Sequence, residues 1–121
     1  MILAIVGSRG FDNYDALEKF VVDTTESEGI EITGIVSGGA KGADMLARLF
    51  AYRHGYPLTE HKPDWETFGK RAGFIRNETI IQECDVCFAF WDGESHGTKH
   101  DIELCKKYDK PCYVYEFCRL G

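Results

Sequence analysis

The chain has 121 residues, 44% of them hydrophobic and 28% charged, which predicts one domain, 1–121, with a single core. Its apolar runs are too short to cross a bilayer, so no membrane partner is expected, and its formal charge of −6 argues against non-specific nucleic-acid binding, which needs a basic surface. No basic residue precedes the N-terminal apolar segment, so we interpret it as a strand rather than a signal peptide and expect a cytoplasmic location.

The first strand and helix are predicted from hydrophobic periodicity. Residues 2–7 form a continuous apolar run, which is typical of a strand covered on both faces. Asp12 or Asn13 can cap the helix that follows, and Gly29 ends it. Its apolar residues recur at helical spacing: Tyr14, Leu17, Phe20 and Val21.

The next three elements repeat this alternation. Residues 31–37 predict a second strand, and the turn GGAKG leads into a helix that stops at Gly55. Residues 57–62 predict a short third strand. The apolar stripe of the second helix is expected at Met45, Leu46, Leu49 and Phe50.

The second half of the chain predicts a helix over 65–83, a strand over 85–91, a helix from about Thr98 to Tyr108 and a strand over 112–117. Strands that alternate with helices predict an α/β, three-layer Rossmann-like fold with a mainly parallel five-stranded sheet.

Three loops fall at the carboxyl edge of such a sheet, where ligands bind. They are Gly7–Phe11, Ser37–Lys41 and Asp92–Thr98, and each carries glycine and a hydroxyl residue. In the second loop, glycines permit close approach of a ligand ahead of a helix N-terminus, which suits phosphate. The residues that we predict to bind there are Ser37, Gly38, Gly39, Lys41 and Gly42.

Asp44 follows in the first turn of that helix. It either complements the helix dipole, binds a sugar or acts as a base. A purely structural turn is the alternative for the whole loop. The chain contains neither the P-loop pattern nor G-x-G-x-x-G, so neither an NTPase nor a dehydrogenase is supported.

The first and third loops supply further candidates. Ser8 and Arg9 follow the first strand, and an arginine there either binds phosphate or carboxylate or is merely solvated. In the third loop, Thr98 is either a ligand contact or an N-cap paired with Asp101. The other candidates of this loop and the strand before it are Ser95, His96, Gly97 and Trp91, which either stacks on a base or packs in the core.

The helix over 65–83 contains Gly69 and Gly73, each of which costs about 1 kcal/mol relative to alanine. Tolerance of both suggests close approach of a backbone or ligand. Arg76 shares their face and either points into the site or forms a surface salt bridge.

Metal sites and disulfides are not expected. Cys84 and Cys87 form C-x-x-C, but they lie at the start of a strand, and Cys105, Cys112 and Cys118 supply no second pair at zinc spacing. The histidines show no ligand spacing either, since the predicted loop-to-helix boundary separates His96 from His100. We therefore predict buried or incidental thiols, no metal and no cofactor.

Four motifs occur in order over roughly residues 3–116: VGSRGFDN, SGGAKGADMLA, GKRAGFIRNETI and DVCFAFWDGESHGT. Together they resemble the YspA/YpsA-related branch of the SLOG superfamily, which also includes DprA and the LOG phosphoribohydrolases. The resemblance implies a Rossmann-like domain that binds nucleotide-derived ligands, with members common in bacteria and phages. It implies pocket roles for Gly7, Ser8, Arg9, Ser37, Gly38, Gly39, Gly42, Arg76, Asn77, Gly97 and Thr98.

Where LOG enzymes carry P-G-G-x-G-T-x-x-E, this chain reads WDGESHGTKHD, with Asp101 in place of the glutamate. The first hypothesis is therefore binding of a nucleotide or nucleotide-derived phosphorylated ligand, for sensing or sequestration. The second is a LOG-like N-glycosidase with Arg76 as electrostatic stabiliser and Asp44 or Asp101 as the carboxylate. The third is a DprA-like single-stranded DNA module, against which the acidic charge argues. Relatives often assemble, so a homo-oligomer is expected, with Tyr52, Tyr56 or Trp65 available for an interface.

Overall fold

The computed structural model describes residues 1–118, which form a three-layer α/β fold around one five-stranded sheet with the strand order β3-β2-β1-β4-β5. The strands are β1 (Ile2–Gly7), β2 (Gly34–Ser37), β3 (Leu58–Glu60), β4 (Val86–Trp91) and β5 (Cys112–Glu116). Every neighbouring pair is parallel. The predicted Rossmann-like fold is confirmed.

Within residues 1–118, five α-helices connect or flank the strands: α1 (Tyr14–Glu28), α2 (Ala43–His54), α3 (Trp65–Phe68), α4 (Ala72–Glu83) and α5 (His96–Lys107). The side chain of Asn13 caps α1 by accepting from the N–H of Ala16 at 3.0 Å. Gly29 ends α1 and Gly55 ends α2, both in the left-handed region. None of the helices within residues 1–118 combines the length and apolar character that a bilayer crossing requires.

The sheet separates two hydrophobic cores. Leu17, Val21 and Phe50, from α1 and α2, pack on one face with the aromatic residues of β4. Ile80, Ile81 and Leu104, from α4 and α5, pack on the other with the alternate residues of the same strands. Both faces of β1 and β4 are thus buried, which accounts for their continuous apolar runs.

The predicted stripe of α2 is only half correct. Phe50 is fully buried and Leu46 packs against the core, but Met45 is 52% exposed and Leu49 39% exposed. Alanines take the buried positions because α2 lies close over the sheet, and Ala43 and Ala47 are fully buried. Small residues rather than large ones therefore define this helix face.

The predicted helix over 65–83 is wrong, because the chain breaks it at Gly69. This glycine has φ 59° and ψ −134°, and a 3₁₀ turn over Gly69–Arg71 separates α3 from α4. No atom lies within 4 Å of a Cβ built on Gly69, so its backbone angles, not close approach, require glycine here. Trp65 and Phe68, the two aromatic residues of α3, are exposed.

The last helix also begins earlier than predicted. Ser95 precedes its first residue, His96, so Thr98 is not the N-cap and does not form a capping box with Asp101. Thr98 and Asp101 are instead buried, at 3% and 5% exposure. The loop-to-helix boundary expected between His96 and His100 is wrong for the same reason, since both lie on α5.

Candidate functional site

The three loops named from the sequence meet at the carboxyl edge of the sheet and enclose a cleft. Its inner compartment has a volume of about 520 Å³. The inner compartment is lined by Val6, Gly7, Ser8, Arg9, Gly10, Gly38, Ala40, Asp44, Arg76, Asn77, Ile80, Ser95, Gly97, Thr98 and Asp101.

An outer compartment of about 590 Å³ adjoins the inner one, and the residues common to both are Arg9, Gly38, Ala40, Arg76, Asn77 and Gly97. It adds one residue of the loop after β2, residues from the end of β3 to the first turn of α4, and the first residue of α5. The residues that it adds are Gly39, Lys62, Pro63, Trp65, Lys70, Gly73, Phe74 and His96. The outer compartment is thus more apolar and more basic than the inner one.

Arg76 lies at the boundary of the two compartments and is held by three groups. Its Nη1 donates to the carbonyl oxygens of Gly38 at 3.1 Å and His61 at 3.4 Å, and its Nε donates to Asn77 Oδ1 at 2.9 Å. This arrangement fixes the plane of the guanidinium. The alternative of a surface salt bridge does not fit, because Arg76 has no carboxylate partner within 4.0 Å among residues 1–118.

Asn77, the neighbour of Arg76 on α4, links that arginine to α5. It is buried, and its amide nitrogen lies 3.3 Å from Nδ1 of His100. Burial lowers the pKa of His100, which favours a neutral imidazole whose Nδ1 accepts this hydrogen bond. Phe74 packs edge-on against the same imidazole at 4.8 Å between ring centroids. The chain Arg76–Asn77–His100 therefore joins α4 to α5 behind the cleft.

Two buried carboxyl groups line the inner compartment. Asp44 is 7% exposed and Asp101 5% exposed. Burial raises the pKa of Asp44 from 3.8 to about 6, although the N–H of Ala40, which donates to its Oδ2 at 3.2 Å, and the charge of Arg76 act in the opposite direction. Asp44 lines the inner compartment and also accepts a hydrogen bond just ahead of α2, so the ligand-contact, catalytic and dipole-complementing roles all remain predictions.

The environment of Asp101 disfavours an ionised carboxylate more strongly than that of Asp44. Burial and the nearby charge of Asp44 raise its pKa well above the ordinary value, and Arg76 only partly offsets them. Its Oδ1 is buried without a hydrogen-bond partner among residues 1–118. Unpaired buried polar atoms are uncommon in folded proteins and mark positions where a ligand or water completes the bonding.

The second loop differs from its predicted role. Lys41 is exposed and lies outside both compartments. Gly42, at φ 80°, packs on the first loop, where an added Cβ would lie 2.5 Å from the carbonyl oxygens of Ser8 and Arg9. Ser37 is fully buried, and its hydroxyl donates to the carbonyl of Ile5 at 2.6 Å. These three residues build the edge of the cleft without lining it.

The N-terminus of α2 is likewise occupied by the protein itself. The N–H of Ala43 donates to the carbonyl of Ser8 at 3.4 Å, and the carboxylate of Asp44 accepts from Ala40 in front of it. An anion bound there would be repelled by the carbonyl oxygen of Ser8 and by the carboxylate of Asp44. The predicted phosphate position over this helix is thus electrostatically poor, despite the glycines.

The N-terminus of α5 is better arranged for an anion. Ser95 makes no side-chain cap bond, and Gly97 and Thr98 of the first turn line the inner compartment. Arg9 lines both compartments beside them. Unpaired first-turn N–H groups and a guanidinium together favour phosphate or carboxylate.

Asp92 shapes the loop ahead of α5. Partial burial opposes its ionisation, but hydrogen bonds from the N–H groups of Ser95 and Glu94 and from the hydroxyls of Ser95 and Ser8 lower its pKa to about 2. Ser8 also accepts from the N–H of Asp92 at 3.2 Å, so the first and third loops are joined. Trp91, predicted to stack on a base, lies outside both compartments, and its indole N–H donates to the carbonyl of Ser95 at 3.1 Å.

The structure therefore brings most of the predicted residues into one cleft and leaves out Ser37, Lys41, Gly42 and Trp91. It adds Lys62, Trp65, Lys70 and Phe74, which sequence spacing did not single out as ligand contacts. Their signal is the break at Gly69, which separates α3 from α4 and leaves Trp65 and Phe74 exposed at the cleft. Tyr52 and Trp65 are exposed and Tyr56 is half-buried, and the homo-oligomer remains a prediction.

Comparison with known proteins agrees with this architecture. Residues 1–68 match the model of the YspA, cpYpsA-related SLOG family. The Gene 61 protein of Mycobacterium phage D29 is 41% identical over 83 residues, an alignment that covers 64% of this chain and 66% of that protein, just under two thirds of its length. No solved structure matches the chain.

Proposed function

Because the chain belongs to the YspA, cpYpsA-related SLOG family, we propose that its cleft binds a nucleotide or a nucleotide-derived phosphorylated ligand. The observation that carries this proposal is the convergence of Arg76, Arg9 and the uncapped start of α5 on a polar compartment of about 520 Å³. A compartment of this volume is within the range of small-molecule sites.

The two compartments suggest an orientation for the ligand. The phosphate would lie over Gly97 and Thr98 with Arg9 beside it, where helix dipole and guanidinium both favour negative charge. The ribose hydroxyls would donate to Asp44 and Asp101, which supplies the unpaired Oδ1 with a partner. The base would then occupy the outer compartment near Trp65, where aromatic faces are available for stacking.

Calorimetric titration of the full chain tests this proposal. We expect AMP, GMP or UMP to bind, and we expect Arg9→Ala to weaken binding by about 10- to 100-fold, the value of one charge-assisted hydrogen bond. Lys41→Ala is the matched control, because it removes an equal charge from the neighbouring loop outside the cleft. If neither mononucleotides nor ribose 5-phosphate bind, or if the two variants weaken binding equally, the proposal is wrong.

A second function is favoured by the pair of buried carboxyl groups. Asp44 and Asp101, both with raised pKa values, lie beside Arg76, and such pairs are typical of acid–base sites. In a LOG-like reaction, water would replace the base at C1′ of a nucleoside monophosphate and release ribose 5-phosphate. One carboxylate would activate this water, and Arg76 would stabilise the phosphorylated sugar.

Chromatographic detection of free base separates the two functions. Release that is abolished by Asp101→Asn while the nucleotide still binds would establish the hydrolase. Binding without release across a panel of nucleoside monophosphates would leave a sensor or a sequestering protein. A cytoplasmic location and a single domain over 1–121 are part of this proposal and remain predictions.

A further inference from the structure

Three cysteine thiols meet at the edge of the sheet opposite to the cleft. The sulfur atoms of Cys87, Cys105 and Cys112 all lie within 4.8 Å of one another. Cys87 and Cys105 are buried, at 0% and 1% exposure, and Cys112 is half-buried. We propose that these three residues form a binding site for a soft, thiophilic d¹⁰ metal ion such as Zn²⁺ or Cd²⁺.

The topology explains how residues so far apart in the chain come together. Cys87 of β4 and Cys112 of β5 are direct partners in the parallel register, and both belong to the face covered by α4 and α5. Cys105 lies in the last turns of α5, which returns over the same face toward the amino ends of the strands. Each thiol is thus supplied by a different, well-packed element, and the cluster does not depend on a loop.

The spacing of the thiols is close to that of a metal site. Zn–S bonds of about 2.3 Å place the sulfurs of a tetrahedral or trigonal site about 3.8–4.0 Å apart. Sulfurs within 4.8 Å therefore need to close by less than about 1 Å. A set that consists of thiols alone selects soft cations over Mg²⁺ or Ca²⁺.

Access and charge also suit a cation. Cys112 is only half-buried, which provides an entry path and room for a water as fourth ligand. The nearby Lys106 ammonium partly balances the net negative charge of a divalent ion with three thiolates.

The site is separate from the nucleotide cleft. Cys87 lies four residues before Trp91 at the carboxyl end of β4, which corresponds to about 13 Å along the strand. The proposal therefore does not rest on the proposed function and is tested without a nucleotide.

Cadmium titration of the reduced, metal-free chain tests it. We expect the ultraviolet sulfur-to-cadmium charge-transfer absorption to saturate at one equivalent, and Zn²⁺ to compete for the same site. Cys87→Ser, Cys105→Ser and Cys112→Ser should each lose this one-equivalent absorption. Cys118→Ser is the matched control, because Cys118 is exposed and outside the cluster, and it should bind as the wild type does.

Thermal unfolding of the wild-type chain gives a second measurement that needs no variant. A metal that binds only the folded state raises Tm in proportion to the logarithm of its concentration. The proposal is overturned if no one-equivalent absorption develops, or if absorption survives in all three cluster variants. It is also overturned if metal leaves the Tm unchanged, or if mass spectrometry finds a disulfide between these cysteines in place of a metal complex.

Discussion

The guanidinium of Arg76 occupies the space that a side chain at position 38 would fill. Its Nη1 donates to the carbonyl of Gly38 at 3.1 Å, and a Cβ added to Gly38 would lie 2.6 Å from that nitrogen and 2.8 Å from Oδ2 of Asp44. Glycine at position 38 is therefore needed for the placement of an arginine from α4, 38 residues away.

Gly38→Ala should consequently impair the cleft while leaving the fold intact. The new Cβ would contact the ends of the Arg76 and Asp44 side chains, which can move, and no backbone atom is among its nearest neighbours. We expect mononucleotide affinity to fall at least about tenfold, the equivalent of one displaced charge-assisted hydrogen bond, as measured by calorimetry. Gly34→Ala on the same strand is the control, since its nearest contact is an ordinary 3.6 Å. Equal affinity of both variants would contradict the role of Gly38.

Asp44 should make stability fall as pH rises through the acid range. Burial raises its folded-state pKa from 3.8 to about 6, so the folded state holds the proton more tightly than the unfolded state. The contribution of Asp44 to the free energy of unfolding should therefore be largest below pH 4 and decrease by about 2–3 kcal/mol as pH rises to 6 and above. Asp101 contributes in the same direction, because its pKa is also raised.

Urea unfolding at several pH values measures this effect. Asp44→Asn removes one of the two carboxyl groups, so we expect it to flatten the pH profile and to be more stable than the wild type near neutral pH. Glu26→Gln replaces an exposed carboxylate on α1 and should leave the profile unchanged. A profile in Asp44→Asn that parallels the wild type would show that Asp44 does not titrate in this way.

Trp65 should report on the base of a bound nucleotide. It is 58% exposed in the outer compartment, while the chain's other tryptophan, Trp91, lies outside the cleft. In Trp91→Phe, AMP should quench the remaining fluorescence by stacking, whereas ribose 5-phosphate, which has no base, should not. In Trp65→Phe, neither ligand should quench. Quenching that persists in Trp65→Phe would place the base elsewhere.

Replacing each of the two glycines in the segment 65–83 with alanine should change the free energy of unfolding in opposite directions. Gly69→Ala forces an alanine to φ 59°, ψ −134°, and should lower the free energy of unfolding by about 1–3 kcal/mol. Gly73 lies in α4, with only a 3.8 Å contact to Trp65, so Gly73→Ala should raise it by about 0.5–1 kcal/mol. Denaturant unfolding measures both changes. Stabilisation by Gly69→Ala would contradict the helix break.

The sequence predicted the strands and the edge of the cleft because both follow from local patterns. The apolar run at 2–7 and the glycine that ends each of α1 and α2 are short-range signals, and the parallel topology then places the loops together. The break at Gly69 was missed because periodicity continues across it, and glycine inside a helix pattern is not by itself a boundary.

The sequence predicts an anion site at the second loop, whereas the structure favours the third loop, and this difference could not be predicted from the sequence. Both have glycine ahead of a helix, and what separates them is tertiary. The carbonyl of Ser8 and the carboxylate of Asp44 occupy the start of α2, while the start of α5 faces the cleft. The thiol cluster was missed for the same reason, since spacing along the chain does not show that Cys87 and Cys112 are partners in register.

The central position of β1 has a mechanical consequence. Both halves of the chain line the cleft: Arg9, Gly38 and Asp44 come from the first half, and Thr98 and Asp101 from the second. Any molecule that fills the cleft therefore contacts both halves of the chain and stabilises their packing against each other. A ligand in the cleft is therefore expected to slow amide hydrogen exchange in β2 and β5, the strands that flank β1 and β4. Neither β2 nor β5 contributes a side chain to the inner compartment.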